Sequence, residues 1–504
     1  MMLVTALLLT VQAQTVPASV RAAADRIQSE DIQRDLDYIA SDALMGRQSP
    51  GPGFDSAAAY IARRLRRAGL RPLGDNNGYS QWYNIRETLL DTANAYLQVG
   101  TRRLRYGDDF YLRAFPRPVT VTAPTVHVGH GWQIPDHDID AYAGVDARGK
   151  IALATGQRGF PAGVSVRGIG RTFGSARSAF DAAHRAGAAA LIMIVPADSG
   201  GERFPRSLGG LELDPPVPSA YAAVPLPVVV VRPELEQALR SERVTLHLPA
   251  AVNRTQRVHN IVAMIPGSDP RLRNEYVTLE SHLDGAVGTR ALNGDSIYNS
   301  ADDNASGSVG NLAIAEQIAR GPKPKRSLIF IWDSGEERGL WGTRHFVAHP
   351  PVPLENVVAH FNIDMIGANR APGSPDSSEH RVTESDEVFL IGPGVLSAEA
   401  DSLLERVNRQ YNPLRFNRAY DRADHEFFYP RTDAGPFLER GVLTIGFTTG
   451  IHNRYHRPPD EARYLDAEKI ARLSRSILVM AWMLADMPSR PGLGQIPGLV
   501  PRYP

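Results

Sequence analysis

No cysteine occurs in the 504 residues, which excludes disulfide staples, thiolate metal ligands and a cysteine nucleophile together. Any metal held by this chain must be gripped mainly by histidine, aspartate and glutamate. Net charge is lacking too. Lys+Arg 55 stand against Asp+Glu 55, and no basic run carries interleaved aromatics, so nothing points to a nucleic-acid partner. Long hydrophobic runs are also missing. The apolar stretch from Leu3 to Val11 is too short to span a bilayer, and small residues including Ala13 follow it. That pattern predicts a removed export signal over 1–13 and a periplasmic or secreted mature chain without a membrane span. Missing disulfides are compatible with that address, where they are permitted but not required. What remains is a soluble globular composition, 43% hydrophobic and 22% charged, in a chain long enough for two or three domains.

After the signal, residues 30–70 read as largely helical. The segment 55–70 carries apolar positions Ala58, Ile61, Ala62 and Leu65 among arginines, with Gly69 as its stop. Strand-like segments follow as far as Tyr111. Residues 119–253 then read as a separate small α/β unit: a buried-strand run at 149–155, an Ala-rich helix, Gly turn and second strand at 175–195, and a strand-to-helix passage at 224–239. The expected layout is thus 14–118, an insert at 119–253, a larger α/β domain at 254–488 and a Pro/Gly-rich tail at 489–504. In the larger domain, apolar strand candidates at 260–266, 275–282, 327–333, 357–364, 388–392 and 442–448 alternate with helical stretches at 308–321, 397–411 and 465–486. Near-continuous apolar strands separated by helices predict a mainly parallel, mixed sheet covered by helices on both faces. Residues 371–387 read as a surface loop.

Acidic residues and histidines fall where those strands end. His282 and Asp284 close one strand, Glu336 and Glu337 follow another, and Asp364 ends a third. Open parallel sheets bind ligands beyond the carboxyl ends of their strands, so one shared site is expected there. Charged groups converging at such an edge are costly to desolvate unless paired or bound to metal. In His282-x-Asp284, one ring nitrogen can bind a metal while the carboxylate accepts from the other nitrogen and fixes the tautomer. Asp302 and Asp303 open the helix at 308–321, and either carboxylate could bridge two cations. Of Glu336 and Glu337, one can bind metal while the other takes a proton from water. His452 and His456 are four apart, but Pro458 and Pro459 argue against a helix that would align them, so one ligand is expected from the two. Tyr455 could direct its hydroxyl at a developing oxyanion. Each of these signals has an ordinary structural reading as well: a solvated strand end, a helix N-cap, a first-turn glutamate pair.

Together they resemble peptidase family M28. The matching pieces are SHLDG (281–285), GDSIYNSADDNASGS (294–308), WDSGEERGLWGT (332–343), FNIDMIG (361–367), DHEFF (424–428) and YHRPPDE (455–461), in family order across about 200 residues. MGRQSPGPG (45–53) with the helix after it resembles the family's N-terminal segment, and GVDARGKI (144–151) with HRAGAAALIMI (184–194) resembles an inserted protease-associated domain. The resemblance implies two zinc ions, with His282 and Asp364 on one, Glu337 and His456 on the other, and Asp303 bridging through a cis bond to Asn304. It implies Glu336 as general base acting on a metal-bridging hydroxide and Asp284 as the partner of His282. Peptide substrates are implied, with release of N-terminal residues as the leading activity. Where relatives read Ser-Asp-His, this chain has Ala423-Asp424-His425. Alternatives within the family are a carboxypeptidase or dipeptidase, for which Arg167, Arg171 and Arg370 could bind a carboxylate, and a one-zinc glutaminyl cyclase, against which the intact bridging set weighs. From other classes come a non-catalytic scaffold and a two-metal phosphatase or amidohydrolase.

Overall fold

A computed structural model of the chain describes residues 15–494, apart from 115–116, 156–177, 196–208, 218–225, 242, 289–290, 371–381, 424, 426–427 and 429–430. The export segment 1–13, Arg167, Arg171, Asp424 and most of the loop at 371–387 therefore lie outside the described residues.

The apolar runs become strands because their β-branched and aromatic side chains pack well on a surface buried on both sides. In chain order the main sheet contains β1 (Ser80–Leu90), β2 (Gly209–Leu213), β3 (Ala250–Ile265), β4 (Tyr276–His282), β5 (Ser327–Asp333), β6 (Val357–Ile363), β7 (Glu387–Ile391), β8 (Arg415–Asn417) and β9 (Leu443–Thr448). Their spatial order is β2-β1-β3-β5-β4-β6-β9-β7-β8, with Arg71–Pro72 pairing beside β3. The central four, β5-β4-β6-β9, run parallel, while β3 and β7 flank them antiparallel. The main helices are α1 (Ala18–Ala24), α2 (Ser29–Ile39), α3 (Pro52–Ala68), α4 (Gly307–Arg320), α5 (Trp341–Ala348), α6 (Ala398–Gln410), α7 (Ala434–Glu439) and α8 (Ala467–Ala485). Alternate strand residues such as Leu279, Phe330 and Phe361 join α1–α4, α6 and α8 in the largest core. Ile329 and Ile331 face the other way, onto Phe346 of α5 and Phe437 of α7. The mixed sheet and its helix-covered faces are as expected, but its parallel part is confined to the centre and to the β7–β8 pair, and antiparallel pairings join the rest. Among the described residues, no helix is long and apolar enough to cross a membrane.

Two smaller sheets form the second unit. One is antiparallel and joins Tyr96–Val99, Arg102–Arg105, Val119–Ala123 and Val244–Leu248. The other runs Phe110–Ala114, Val228–Val231, Ala190–Ile194, Ile151–Thr155, Thr125–His127. They share a core containing Leu97, Leu104, Leu153 and Val229. The expected start at residue 119 is corrected here: Tyr96–Val99, Arg102–Arg105 and Phe110–Ala114 already belong to this unit, because their partners lie at 228–231 and 244–248. Conversely, β2 lies within the expected insert yet pairs with β1 in the main sheet.

One half-buried histidine tests how α5 is seated. His345 stacks on Tyr83 at 4.8 Å between ring centroids and on His349 at 4.6 Å. Burial, aided by His349, pushes its pKa down to about 4. Between pH 6.5 and 4 the unfolded chain therefore takes up a proton that the folded chain refuses, so stability falls as pH falls through that window. His345→Phe, which keeps a ring but cannot titrate, is expected to flatten part of that fall in thermal midpoint. Equal slopes for the two proteins would show that His345 does not contribute.

Candidate metal centre

Strand register brings the chemistry to one edge. His282 ends β4 opposite Asp333 at the end of β5. The chain then turns through Gly335, whose φ of 75° suits glycine and where a Cβ would lie 2.3 Å from the Trp341 ring. That turn delivers Glu336 and Glu337. Asp364 follows β6 directly, and His456 comes from the loop after β9. Asp303 sits in the turn before α4, and the Asp303–Asn304 peptide is cis. The Asn304 amide ties this turn to the Asp364 segment. Its Nδ2 donates to Ile363 O at 3.0 Å, and its Oδ1 accepts from Gly307 N at 2.9 Å and Met365 N at 3.2 Å.

Five side chains meet here as two trios sharing one carboxylate. Asp303 Oδ1 lies 3.2 Å from His282 Nε2, which is itself 3.5 Å from Asp364 Oδ1. Asp303 Oδ2 lies 3.0 Å from His456 Nε2, which is 3.0 Å from Glu337 Oε2. Each Asp303 oxygen thus faces a different trio. His282 Nε2, Asp364 Oδ1 and Glu337 Oε1 are buried without a hydrogen-bond partner. Buried polar atoms that crowd one another yet form no directed bond fit ligands aimed at a common ion. The electrostatics agree. Burial opposes charge on His282, but Asp303 and Asp364 outweigh it and raise its pKa well above the ordinary range. Burial, then repulsion from Asp303, lifts Glu337 to about 8, and burial lifts Glu336 well above the usual carboxylate range. Against its burial, Asp303 alone is held well below the usual carboxylate range by His282 and His456, while Glu336, Glu337 and Asp364 are raised. Such a pocket is short of positive charge, and two divalent cations would supply it.

Asp284 corrects one expectation. His282 Nδ1 lies 3.0 Å from the Asp284 backbone carbonyl, whereas the carboxylate Oδ1 is 3.9 Å away. That carboxylate instead accepts from the Glu336 backbone N–H at 3.2 Å. The carbonyl fixes the ring, and the side chain pins the turn that presents Glu336. Tyr455 stacks on His456 with ring centroids 3.7 Å apart, and its hydroxyl accepts from Arg431 Nη2 at 3.2 Å. His452 stands outside both trios. Its Nε2 faces Asp302 Oδ2 at 3.3 Å, and Asp302 Oδ1 accepts from Gly367 N at 2.8 Å. Arg370 pairs with Glu384.

Sequence reasoning missed two supports. Asp460 accepts from the Asp302 and Asp303 backbone N–H groups at 3.1 and 3.3 Å, fixing the turn between the trios. Arg47 is fully buried and donates to the carbonyls of Ile39, Leu283, Asn299 and Ser300 at 2.8–2.9 Å. Both lie inside the motifs named above, but nothing in their spacing announces partners 157–158 residues away for Asp460 and 236–253 for Arg47. Arg47→Met removes four charge-assisted bonds and leaves buried carbonyls unpaired, so a loss of about 3 kcal/mol or more is expected in chemical denaturation. A change below about 1 kcal/mol would show that Arg47 is not the clamp.

A helix-covered mixed sheet with two carboxylate–histidine trios beyond the carboxyl ends of its parallel strands defines an α/β domain with a candidate two-metal centre. The family model of peptidase family M28 matches residues 260–481. The chain is 33% identical over 240 residues to leupeptin-inactivating enzyme 1 of Streptomyces exfoliatus, covering 46% of this chain and 50% of that one. It is 24% identical over 475 residues to aminopeptidase YwaD of Bacillus subtilis, covering 90% and 86%. The chain spans about half the length of the first curated relatives it matches, at 50%, 53% and 53%. Among solved structures, an aminopeptidase from Aneurinibacillus sp. strain AM-1 shares the fold with a TM-score of 0.55 at 19% identity, covering 95% of this chain and 98% of that one.

Proposed function

We propose that this protein is an exported two-zinc aminopeptidase acting on peptides. The observation that carries the reading is the Asp303 carboxylate, each of whose oxygens faces its own histidine and carboxylate. His282 and Asp364 would hold one ion, Glu337 and His456 the other, with Asp303 between. Bound there, a zinc pair supplies Lewis acidity, polarising the scissile carbonyl and easing deprotonation of water. Glu336, held by the Asp284-pinned turn, takes the proton from the attacking water and returns it to the leaving amine. Tyr455 donates its hydroxyl to the developing oxyanion. A small hollow lined by Asp364, Met365, Ile391, Phe428 and Phe447 opens beside the trios.

Release from the N-terminus is supported by the relatives named aminopeptidases and by Arg370. Its pairing with Glu384 leaves it badly placed to bind a substrate's terminal carboxylate. The smaller unit would be a protease-associated domain. The discriminating experiment uses aminoacyl p-nitroanilides with free and with acetylated N-termini, beside a phosphate ester. Hydrolysis of the free forms, with the acetylated forms and the ester left intact, is expected. Equal cleavage of free and acetylated substrates would sink the aminopeptidase reading.

A further inference from the structure

Beneath the trios, on the face of the sheet covered by α5 and α7, three more carboxylates converge. Glu280 of β4, Asp333 of β5 and Asp433, just before α7, place ligand-capable oxygens within 4.8 Å of one another. They are 0%, 0% and 1% exposed. Among the described residues no lysine or arginine pairs with any of them. Few neighbours satisfy them. Asn362 Nδ2 donates to Glu280 Oε2 at 2.8 Å, and the Thr343 hydroxyl contacts both Asp333 and Asp433. That hydroxyl has one proton, so it cannot serve both carboxylates as a donor. Glu280 Oε1, Asp333 Oδ1 and Asp433 Oδ2 are left without partners.

A second observation comes from a different side chain. His360 of β6 is fully buried, and its Nε2 has no hydrogen-bond partner while lying 3.7 Å from Glu280 Oε2. Its other nitrogen is engaged with the Thr278 hydroxyl at 2.9 Å, and its ring stacks on Phe437 at 3.7 Å, so the aim of Nε2 is fixed. Burial pushes its pKa down to about 3, which leaves a neutral imidazole with a lone pair to give.

We infer that Glu280, Asp333 and Asp433, with Thr343 and His360 beside them, form a third cation site, distinct from the paired centre. Isolated buried carboxylates carry a large desolvation cost, which an enclosed dication offsets. Three carboxylates and a hydroxyl favour an oxygen-preferring ion, and the single imidazole is compatible with Mn²⁺ among these. The ion would join β4, β5 and β6 to the α5 and α7 layer, one pleat below His282, bracing the strand that carries it.

The test uses the full chain, loaded first with zinc, which outcompetes manganese at the mixed histidine–carboxylate trios. It is then equilibrated with Mn²⁺ and freed of excess. Plasma mass spectrometry is expected to find three divalent cations per chain in the wild type and two in Asp433→Asn. Mn²⁺ should raise the thermal midpoint of the wild type alone. A crystal of the loaded wild type should show an anomalous peak among the three acids, a result that does not depend on the variant folding. The absence of a peak at that position, whatever the total count, would overturn the proposal and leave the acids sharing protons. Because the peaks are located individually, failure of the paired centre and failure of this site are read separately.

Discussion

Glu336→Gln is expected to retain its paired metals and lose nearly all turnover, with kcat down by about 10²–10⁴-fold, the usual worth of a positioned acid–base group. The reason is geometric. Glu336 belongs to neither trio, whereas its neighbour Glu337 stands 3.0 Å from His456 Nε2. Glutamine keeps the size and the backbone N–H that Asp284 holds, so the site should assemble unchanged. The loss should fall on kcat with KM little altered, since no contact with bound substrate is removed. Steady-state kinetics on an aminoacyl p-nitroanilide, beside a zinc assay on the same sample, makes the check. Normal activity in the variant would remove Glu336 from the chemistry. Lost zinc would instead make it a ligand.

The second large effect is expected at Asp303. Asparagine there keeps the shape but removes the charge and one of the two anionic oxygens that face the trios. One trio then has only a neutral amide where it had a carboxylate. Zinc content should fall from two per chain towards one, and kcat/KM by at least about 100-fold, the upper cost of removing even an indirect metal support. The variant should remain folded, because the Asp303 backbone N–H is held by Asp460 and the turn by Asn304, neither of which is changed. Full zinc content with full activity would mean that the carboxylate does not bridge.

Much of this was legible before any coordinates. Strands β4, β5, β6 and β9 are buried on both faces, so their sequences are apolar runs, broken by a few polar residues such as Glu280 and His360, that stand out from the polar turns around them. Because ligands gather beyond the carboxyl ends of such strands, His282, the Glu336-Glu337 pair and Asp364 could be grouped from position alone, while the choice of Glu337 as ligand came with the family resemblance. The distinction between His456 and His452 came only with the family resemblance, and the structure sets His452 against Asp302. Three things were hidden for physical reasons. The partner of His282 Nδ1 is a backbone carbonyl, and no side-chain pattern encodes which backbone atom a ring will meet. The smaller unit begins early because Arg102–Arg105, with one apolar residue among three arginines, reads as a solvated segment until its pairing with Tyr96–Val99 is seen. Glu280, Asp333 and His360 sit inside apolar strands, where the pattern predicts core and offers no hint that three carboxylates meet across them.

The central claim is that one carboxylate joins two metal sites at this sheet edge. The most direct test is a crystal structure of the zinc-loaded protein with anomalous data collected on both sides of the zinc edge. The account predicts two zinc peaks flanking Asp303, one against His282 and Asp364 and the other against Glu337 and His456, each about 2.0–2.2 Å from its ligands. A single peak, or two peaks that do not share Asp303, would contradict it.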